Sequence, residues 1–294
     1  MDSMNAHSIL PRRGEADFDL FPYVPSAPAA WAFVVLFAIS AVVHFVLMIM
    51  FRSWYFIPFI LGCAGESAGY YGRAWAHQNI RLGTPFLIQM MLILGSAPLL
   101  AATVYMTLGR LVRSLDAEEY SIIRSTWVSK IYILIDIASF GCQMFGSAAQ
   151  ASGPEGAAQG MKVIKIGLGV QLGAFAVFLL MAVLLHVRLI RGPTVVSERP
   201  HVHWRRHVWT LYAVSVLIIV RSLFRLVEFA QGPDGTIVNT EALMYVFDAA
   251  LLWAATVAFA VVHPGMLFRT IQKNEGASWS NIDEGHMPLN QYAK

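Results

Sequence analysis

Apolar residues in this chain are gathered into seven long runs, at 28–50, 54–76, 85–112, 128–150, 164–189, 208–230 and 242–262, separated by short polar stretches. Each run is near or above the ~20 residues that an α-helix needs to cross a hydrocarbon core about 30 Å thick. The pattern predicts an all-α fold, an integral membrane bundle of seven transmembrane helices. Aromatic residues such as Trp54, Trp75, Trp127 and Tyr132 cluster at the ends of the runs, as in an interfacial belt. An odd number of spans puts the two termini on opposite sides.

Basic residues outside the runs decide which side is which. Arg52, Arg110, Arg113, Arg124, Lys130, Arg188, Arg191, Arg199, Arg205, Arg206, Arg269, Lys273 and Lys294 fall on one side. The other side holds only Arg12, Arg13, Arg73, Arg81, Lys162 and Lys165. The N-terminus is therefore predicted outside and the C-terminus in the cytosol. Three regions follow: a polar extracellular N-terminus over 1–27, a transmembrane domain over 28–268, and a polar tail over 269–294 with the composition of a disordered segment. The polar start contains no apolar core ahead of a cleavage site, so the first span is expected to serve as the targeting signal. The loop between the fifth and sixth runs carries Pro193 and Pro200 and is expected to be irregular.

Composition agrees with this picture: of 294 residues, 57% are hydrophobic and 13% charged, and the mean hydropathy is +0.57. A soluble domain is excluded. Cys63 and Cys142 both lie in apolar runs, and no structural disulfide is expected. Gly65–Gly69 and Gly169–Gly173 have the GxxxG spacing of closely packed membrane helices, and Pro98 is expected to kink the third helix.

The charges inside the runs change the picture most. Arg221, Arg225 and Glu228 stand at i, i+4 and i+7 in the sixth run and share one face. Glu66 and Arg73 share a face of the second, Asp136 and Gln143 a face of the fourth, and Glu241, Tyr245 and Asp248 a face of the seventh. With Glu241 left aside at the boundary, four acids and three arginines remain at membrane depth. Seven isolated charges would cost roughly 20 kcal/mol on insertion scales, more than the whole stability of a typical domain. They must pair or reach water. Most lie toward the predicted outer half, which points to a polar pocket open to the outside, with Asp136 deeper. Ion pairs that merely hold helices in register are the plainer reading of any single residue, but one or two such pairs would suffice for that.

Other motifs are weaker. Gly65-Glu66-Ser67-Ala68-Gly69 has the spacing of a serine-hydrolase elbow but lies mid-helix, without the strand and turn that lift the serine out. His203 and His207 have zinc-like i, i+4 spacing, yet Arg205 and Arg206 between them repel a cation, and a basic segment at lipid headgroups fits better. His44, His186 and His263 are expected to be satisfied polar groups. No lysine follows a glycine, so a phosphate-binding loop is excluded, and the seventh run has no lysine for a retinal Schiff base. No metal, cofactor or nucleic-acid partner is expected.

Several spaced patterns converge on one resemblance. Glu66-x-x-Gly69-Tyr70-x-x-Arg73, Ala97-Pro98 with Ala101-Ala102-x-x-Tyr105, Asp136-x-x-Ser139-x-x-x-Gln143-x-x-Gly146, and Gly167-Leu168-x-x-Gln171 are followed by Arg221-Ser222-x-Phe224-Arg225-x-x-Glu228. Glu241-x-x-x-Tyr245-x-x-Asp248 and His263-Pro264 complete the series. Over residues 30–268 the chain resembles the fungal lipid-translocating exporter family, with the arginine-bearing sixth run its most specific part. It departs from the family in lacking an N-x-[ST] acceptor in its N-terminus. The resemblance implies a non-enzymatic, multi-pass protein of the plasma membrane that exports or flips sphingoid long-chain bases or related amphiphiles and confers resistance to toxic ones. On this reading Glu66, Glu228 and Asp248 receive an ammonium, Arg73, Arg221 and Arg225 hold the carboxylates or contact phosphate, Tyr245 shares their face, and Asp136 and Gln143 line the inner path. Two alternatives stay open from the residues: a seven-helix receptor for an amphiphile, and an intramembrane lipid hydrolase using Ser67 or a metal.

Overall fold

The computed structural model describes residues 20–78, 80–121, 125–150, 154–232 and 235–272. Its regular structure is helical. The helices are α1 (Ala27–Phe51), α2 (Ile57–Ala76), α3 (Gly83–Ser114), α4 (Ser125–Gln150), α5 (Pro154–Arg191), α6 (Trp204–Gln231) and α7, which covers 241–261 in three pieces. Those pieces are Glu241–Met244, a π-helical segment Tyr245–Ala250, and Leu251–Val261.

Six of these helices are long and apolar enough to cross a membrane. The seventh, α2, has 20 residues, but four of them are glycines and two are Glu66 and Arg73. At 1.5 Å per residue, α5 with its 38 residues extends for about 57 Å, well beyond a hydrocarbon core. Prolines begin α1 and α2 at the first helical turn, where the missing N–H leaves no bond unmade. Pro98 sits inside α3 without ending it, so the Leu94 carbonyl lacks its usual i+4 donor.

Consecutive helices pack side by side from α1 to α6, α7 packs on α6 and returns against α1, and α3 touches α6 across the middle. The interior holds a continuous apolar core through Phe37, Phe59, Leu100, Val104, Tyr105, Phe178, Val214 and Phe259. Large apolar residues such as Val42 and Val46 on α1, Leu134 and Ile137 on α4, and Leu223 and Val227 on α6 face outward. A surface of this kind suits lipid.

The glycines of α2 set the α2–α3 approach. A Cβ on Gly72 would lie 3.0 Å from both the Gln89 nitrogen and the Pro85 carbonyl oxygen, and one on Gly69 would lie 2.6 Å from Ile93 Cγ1. Gly65–Gly69 is thus a packing seam. Gly169–Gly173 is not: a Cβ at either meets nothing within 4 Å, because that face of α5 looks away from the bundle.

The 192–203 loop is a succession of turns, tied down where Thr194 Oγ1 donates to the Leu115 carbonyl at 2.6 Å and Trp204 Nε1 to the Ser197 carbonyl at 3.2 Å. Beyond α7, residues 264–272 are helical, so the first residues of the predicted tail continue the bundle. Residues 273–294 of that tail and 1–19 of the N-terminal segment lie outside the described residues.

Candidate functional site

Arg221 and Arg225 lie on the inward stripe of α6, continuing the buried line of Val214, Ser215 and Ile218. That stripe meets the π-helical segment of α7. Arg221 Nε pairs with Asp248 Oδ1 at 2.6 Å, and Arg225 Nη2 pairs with Asp248 Oδ2, so one carboxylate is gripped by two guanidiniums. Arg225 also binds Glu228 Oε2 at 3.0 Å, one turn along its own helix. Arg221 Nη2 reaches across to α3, where it donates to the Ile93 carbonyl at 3.3 Å. On its α2 side the same nitrogen stands 4.0 Å from Glu66 Oε1.

Glu66 and Asp248 are both only 1% exposed. Glu66 Oε1 has no hydrogen-bond partner among the described residues, and neither does the hydroxyl of buried Tyr70, one turn further along α2. This inner layer sets three carboxylates, Glu66, Glu228 and Asp248, against two guanidiniums, Arg221 and Arg225. One acid is in excess, and it is Glu66 that holds only the long contact.

A second layer lies nearer the predicted outer end. Arg73 Nη2 binds Glu241 Oε1 at 3.0 Å and donates to Tyr23 Oη at 2.7 Å, while its Nε donates to Tyr245 Oη at 3.1 Å. Its guanidinium carbon sits 5.5 Å and 5.3 Å from the ring centres of Tyr23 and Tyr245, within cation–π range. Residues 20–26 strap this layer: Ser26 N donates to Glu241 Oε1 at 2.7 Å, the Pro25 carbonyl accepts from His77 Nδ1 at 2.8 Å, and Phe21 packs edge-on to Phe86. Phe33, Phe37 and Tyr70 fill the space beneath, with Phe33 stacked on Tyr245 at 5.4 Å and Phe37 on Tyr70 at 6.0 Å.

One expectation is corrected by this geometry: the charges close on one another instead of lining an open vestibule, because each guanidinium finds a carboxylate within reach. The two residues expected deeper, on the inner path, stand apart from both layers. Asp136 and Gln143 belong to a separate group between α3, α4 and α5: Tyr105 and Gln171 lie beside the Asp136 carboxyl, and Gln143 Nε2 donates to Gln171 Oε1 at 3.1 Å.

A family profile described as "RTA1 like protein" matches residues 59–271, which include every charged residue of both layers. The chain belongs to the RTA1-like protein family. This is the fungal lipid exporter family to which the spaced motifs pointed. Among similar curated proteins, Protein RTA1 of Saccharomyces cerevisiae is 30% identical, covering 90% of this chain and 93% of that protein. Protoporphyrin uptake protein 1 of the same yeast is 31% identical, over 84% and 92%. Sphingoid long-chain base transporter RSB1 of S. cerevisiae is 26% identical, over 90% and 78%. No solved structure matches. With six long apolar helices and transport proteins among its relatives, this RTA1-like chain is a multi-pass membrane protein.

Several residues of the RTA1-like site went unread in the sequence. Glu241, set aside as a boundary residue, is the carboxylate partner of Arg73. Tyr23 lies in the stretch taken as a polar terminus, and only its place just ahead of the first span hints at its role. Gln171 and Tyr70 stand in the motif series but carry no charge to draw attention. Of the three histidines at run ends, His186 meets the Tyr212 hydroxyl through Nδ1 at 3.0 Å, and the other two are half satisfied. His44 Nε2 contacts the Thr256 carbonyl at 3.0 Å, and His263 Nδ1 accepts from the Gly265 N–H at 3.1 Å, while the other ring nitrogen of each has no partner among the described residues. Their buried rings lie 6.2 Å apart, at matched depth near the cytosolic end predicted for α1 and α7.

Proposed function

We propose that this chain crosses the plasma membrane seven times, N-terminus outside and C-terminus in the cytosol, and translocates amphiphiles with a cationic or zwitterionic head, sphingoid long-chain bases among them, thereby conferring resistance to toxic ones. Twenty residues of α2 span about 30 Å, the thickness of the hydrocarbon core, and its Arg73 is paired by Glu241 and Tyr245 of α7. The observation that carries the reading is the surplus acid: Glu66 is buried with one long contact to a base, beside an unpartnered Tyr70 hydroxyl. Buried polar groups without partners call for an explanation, and a buried charge calls for a counter-charge.

An ammonium head supplies both. Its N–H donors fit the Glu66 carboxylate and the Tyr70 oxygen, while Arg221 and Arg225 keep Asp248 oriented and hold any phosphate. Arg73, Glu241 and Tyr245 form the gate between this layer and the predicted outside. One relative's name specifies sphingoid long-chain bases, which carry such a head. The reading includes no chemical step. Ser67 of the elbow-like motif donates to the Val34 carbonyl of α1 at 2.9 Å, as a helix-packing hydroxyl does.

The deciding experiment is flux of a labelled sphingoid base in proteoliposomes of purified protein. Native protein moves the lipid, and Glu66→Gln does not; equal flux in the two would sink the assignment. A second reading, a receptor that holds an amphiphile without moving it, is favoured by the closed state of both layers. Saturable binding to native protein with no flux would establish it.

A further inference from the structure

Asp136 stands apart from everything used so far. It is 1% exposed, on α4, a helix that packs against α3 and α5. Neither carboxylate oxygen has a hydrogen-bond partner by strict geometry among the described residues, and no guanidinium, ammonium or imidazole among them pairs with it. The groups that face it are Tyr105 from α3 and Gln171 from α5, with Tyr132 and Gln143 on its own helix. The Tyr105 hydroxyl is likewise buried and stands within reach of the Asp136 carboxyl without closing a well-aligned hydrogen bond to it. Toward the predicted cytosolic end the group is closed by an aromatic plug. Tyr105 contacts Tyr132, Phe175 and Phe178 at ring separations of 5.2, 5.4 and 4.8 Å.

A permanently ionised carboxylate here has no cationic partner among the described residues. An acid at the centre of a spanning helix costs about 2.5–3.5 kcal/mol on insertion scales even before any partner is lost. Two species could relieve it, a proton or a small hard cation. The cation needs a cage of oxygens, about six for magnesium or calcium. The group offers two Asp136 oxygens, the Tyr105 hydroxyl and the amide oxygens of Gln143 and Gln171, the last already accepting from Gln143, while the Tyr132 hydroxyl is turned to Met181 Sδ; these fall short of a full cage. A proton needs only one oxygen to accept it and one neighbour to take the new O–H as donor, and Tyr105 provides the latter.

We propose that Asp136 is a proton-binding site that couples amphiphile movement in this protein to a proton gradient. The carboxylate takes a proton from water, becoming a neutral acid whose O–H donates to Tyr105 Oη, and returns it to water when α3, α4 and α5 part. No other reactant is involved. The coupling rests on the transport reading above, whereas the proton site does not. This separates the energy source from the head-binding cluster, which lies on α2, α6 and α7.

The test has two arms. In the first, infrared difference spectra of purified native protein are recorded across pH and compared with Asp136→Asn. The native protein shows a protonated-carboxyl stretch that rises and falls with pH and is missing from the variant, and Asp136→Glu restores a shifted band. Identical spectra for native and Asp136→Asn overturn the proposal whether or not the protein moves lipid. In the second arm, flux of a labelled sphingoid base is measured with and without a pH difference across the proteoliposome membrane. Native flux responds to the gradient, Asp136→Asn loses the response, and Asp136→Glu regains it. Native flux that ignores protons, or that follows a sodium gradient instead, overturns the coupling. A native protein that moves no lipid at all would end the transport reading, while the infrared arm would still decide Asp136.

Discussion

Two amide substitutions in the inner layer, Asp248→Asn and Glu66→Gln, are the same change of carboxylate to amide yet should have very unequal consequences for folding. Asp248 is the shared counter-ion of Arg221 and Arg225, and both pairs are buried. Removing its charge leaves two guanidiniums with only Glu228 and the distant Glu66, and breaking a buried pair in this way costs about 3–5 kcal/mol. Glu66 is different. Its pairing with Arg221 is at 4.0 Å, where the Coulomb term is about 4 kcal/mol at an effective dielectric of 20. That attraction is offset by desolvation of a fully buried carboxylate and by repulsion from Asp248. Glu66→Gln also brings the layer to two acids against two bases, so its net effect on stability should fall within about 1 kcal/mol. By the scaling for domains of this size, the thermal midpoint should drop by about 10 °C for Asp248→Asn and by no more than about 3 °C for Glu66→Gln. Cys63, which is fully buried, offers the assay: in a Cys142→Ser background its reaction with a thiol-reactive dye reports unfolding in detergent. The charge-count argument fails if the two variants unfold together, or if Glu66→Gln is the less stable.

Other consequences can be read by simpler measurements. Gly72→Val should lower the same midpoint by several degrees, since its Cβ meets backbone atoms of α3, whereas Gly169→Val, with open space around it, should leave it unchanged. Tyr23→Phe removes one hydrogen bond to Arg73, a loss of about 1 kcal/mol, and should speed proteolysis within residues 20–26 without unfolding the bundle. In the folded protein Cys142 should label readily and Cys63 should not, and equal labelling would contradict the α2 packing. Ser67→Ala should retain full lipid flux, and its loss would revive the hydrolase alternative.

Helix positions were legible because long apolar runs and their ends leave a strong signal, and the charged face of α6 could be read from spacing alone. Which charges meet could not. Asp136 and Asp248 look alike in sequence, each a lone acid in an apolar run, but one has two arginines across from it and the other has none, and only the helix arrangement decides that. The Gly65 and Gly169 motifs are likewise identical in spacing, yet one faces α3 and the other faces outward. The role of Tyr23 was hidden because a segment preceding a span carries no periodicity to mark its fold-back.

The π-helical turn of α7 sets Tyr245 and Asp248 within hydrogen bonds that run i to i+5, one residue looser than the helix on either side. Because the wider turn absorbs one extra residue, deleting one from Tyr245–Ala250 would restore the ordinary ladder and leave the pieces on either side close to their present phase. What the deletion would change is the turn itself, which carries both Tyr245, the hydroxyl that accepts from Arg73, and the doubly clasped Asp248. The surplus amino acid belongs to the stretch that joins the two layers, so its loss would be felt at these two side chains and not at Glu241.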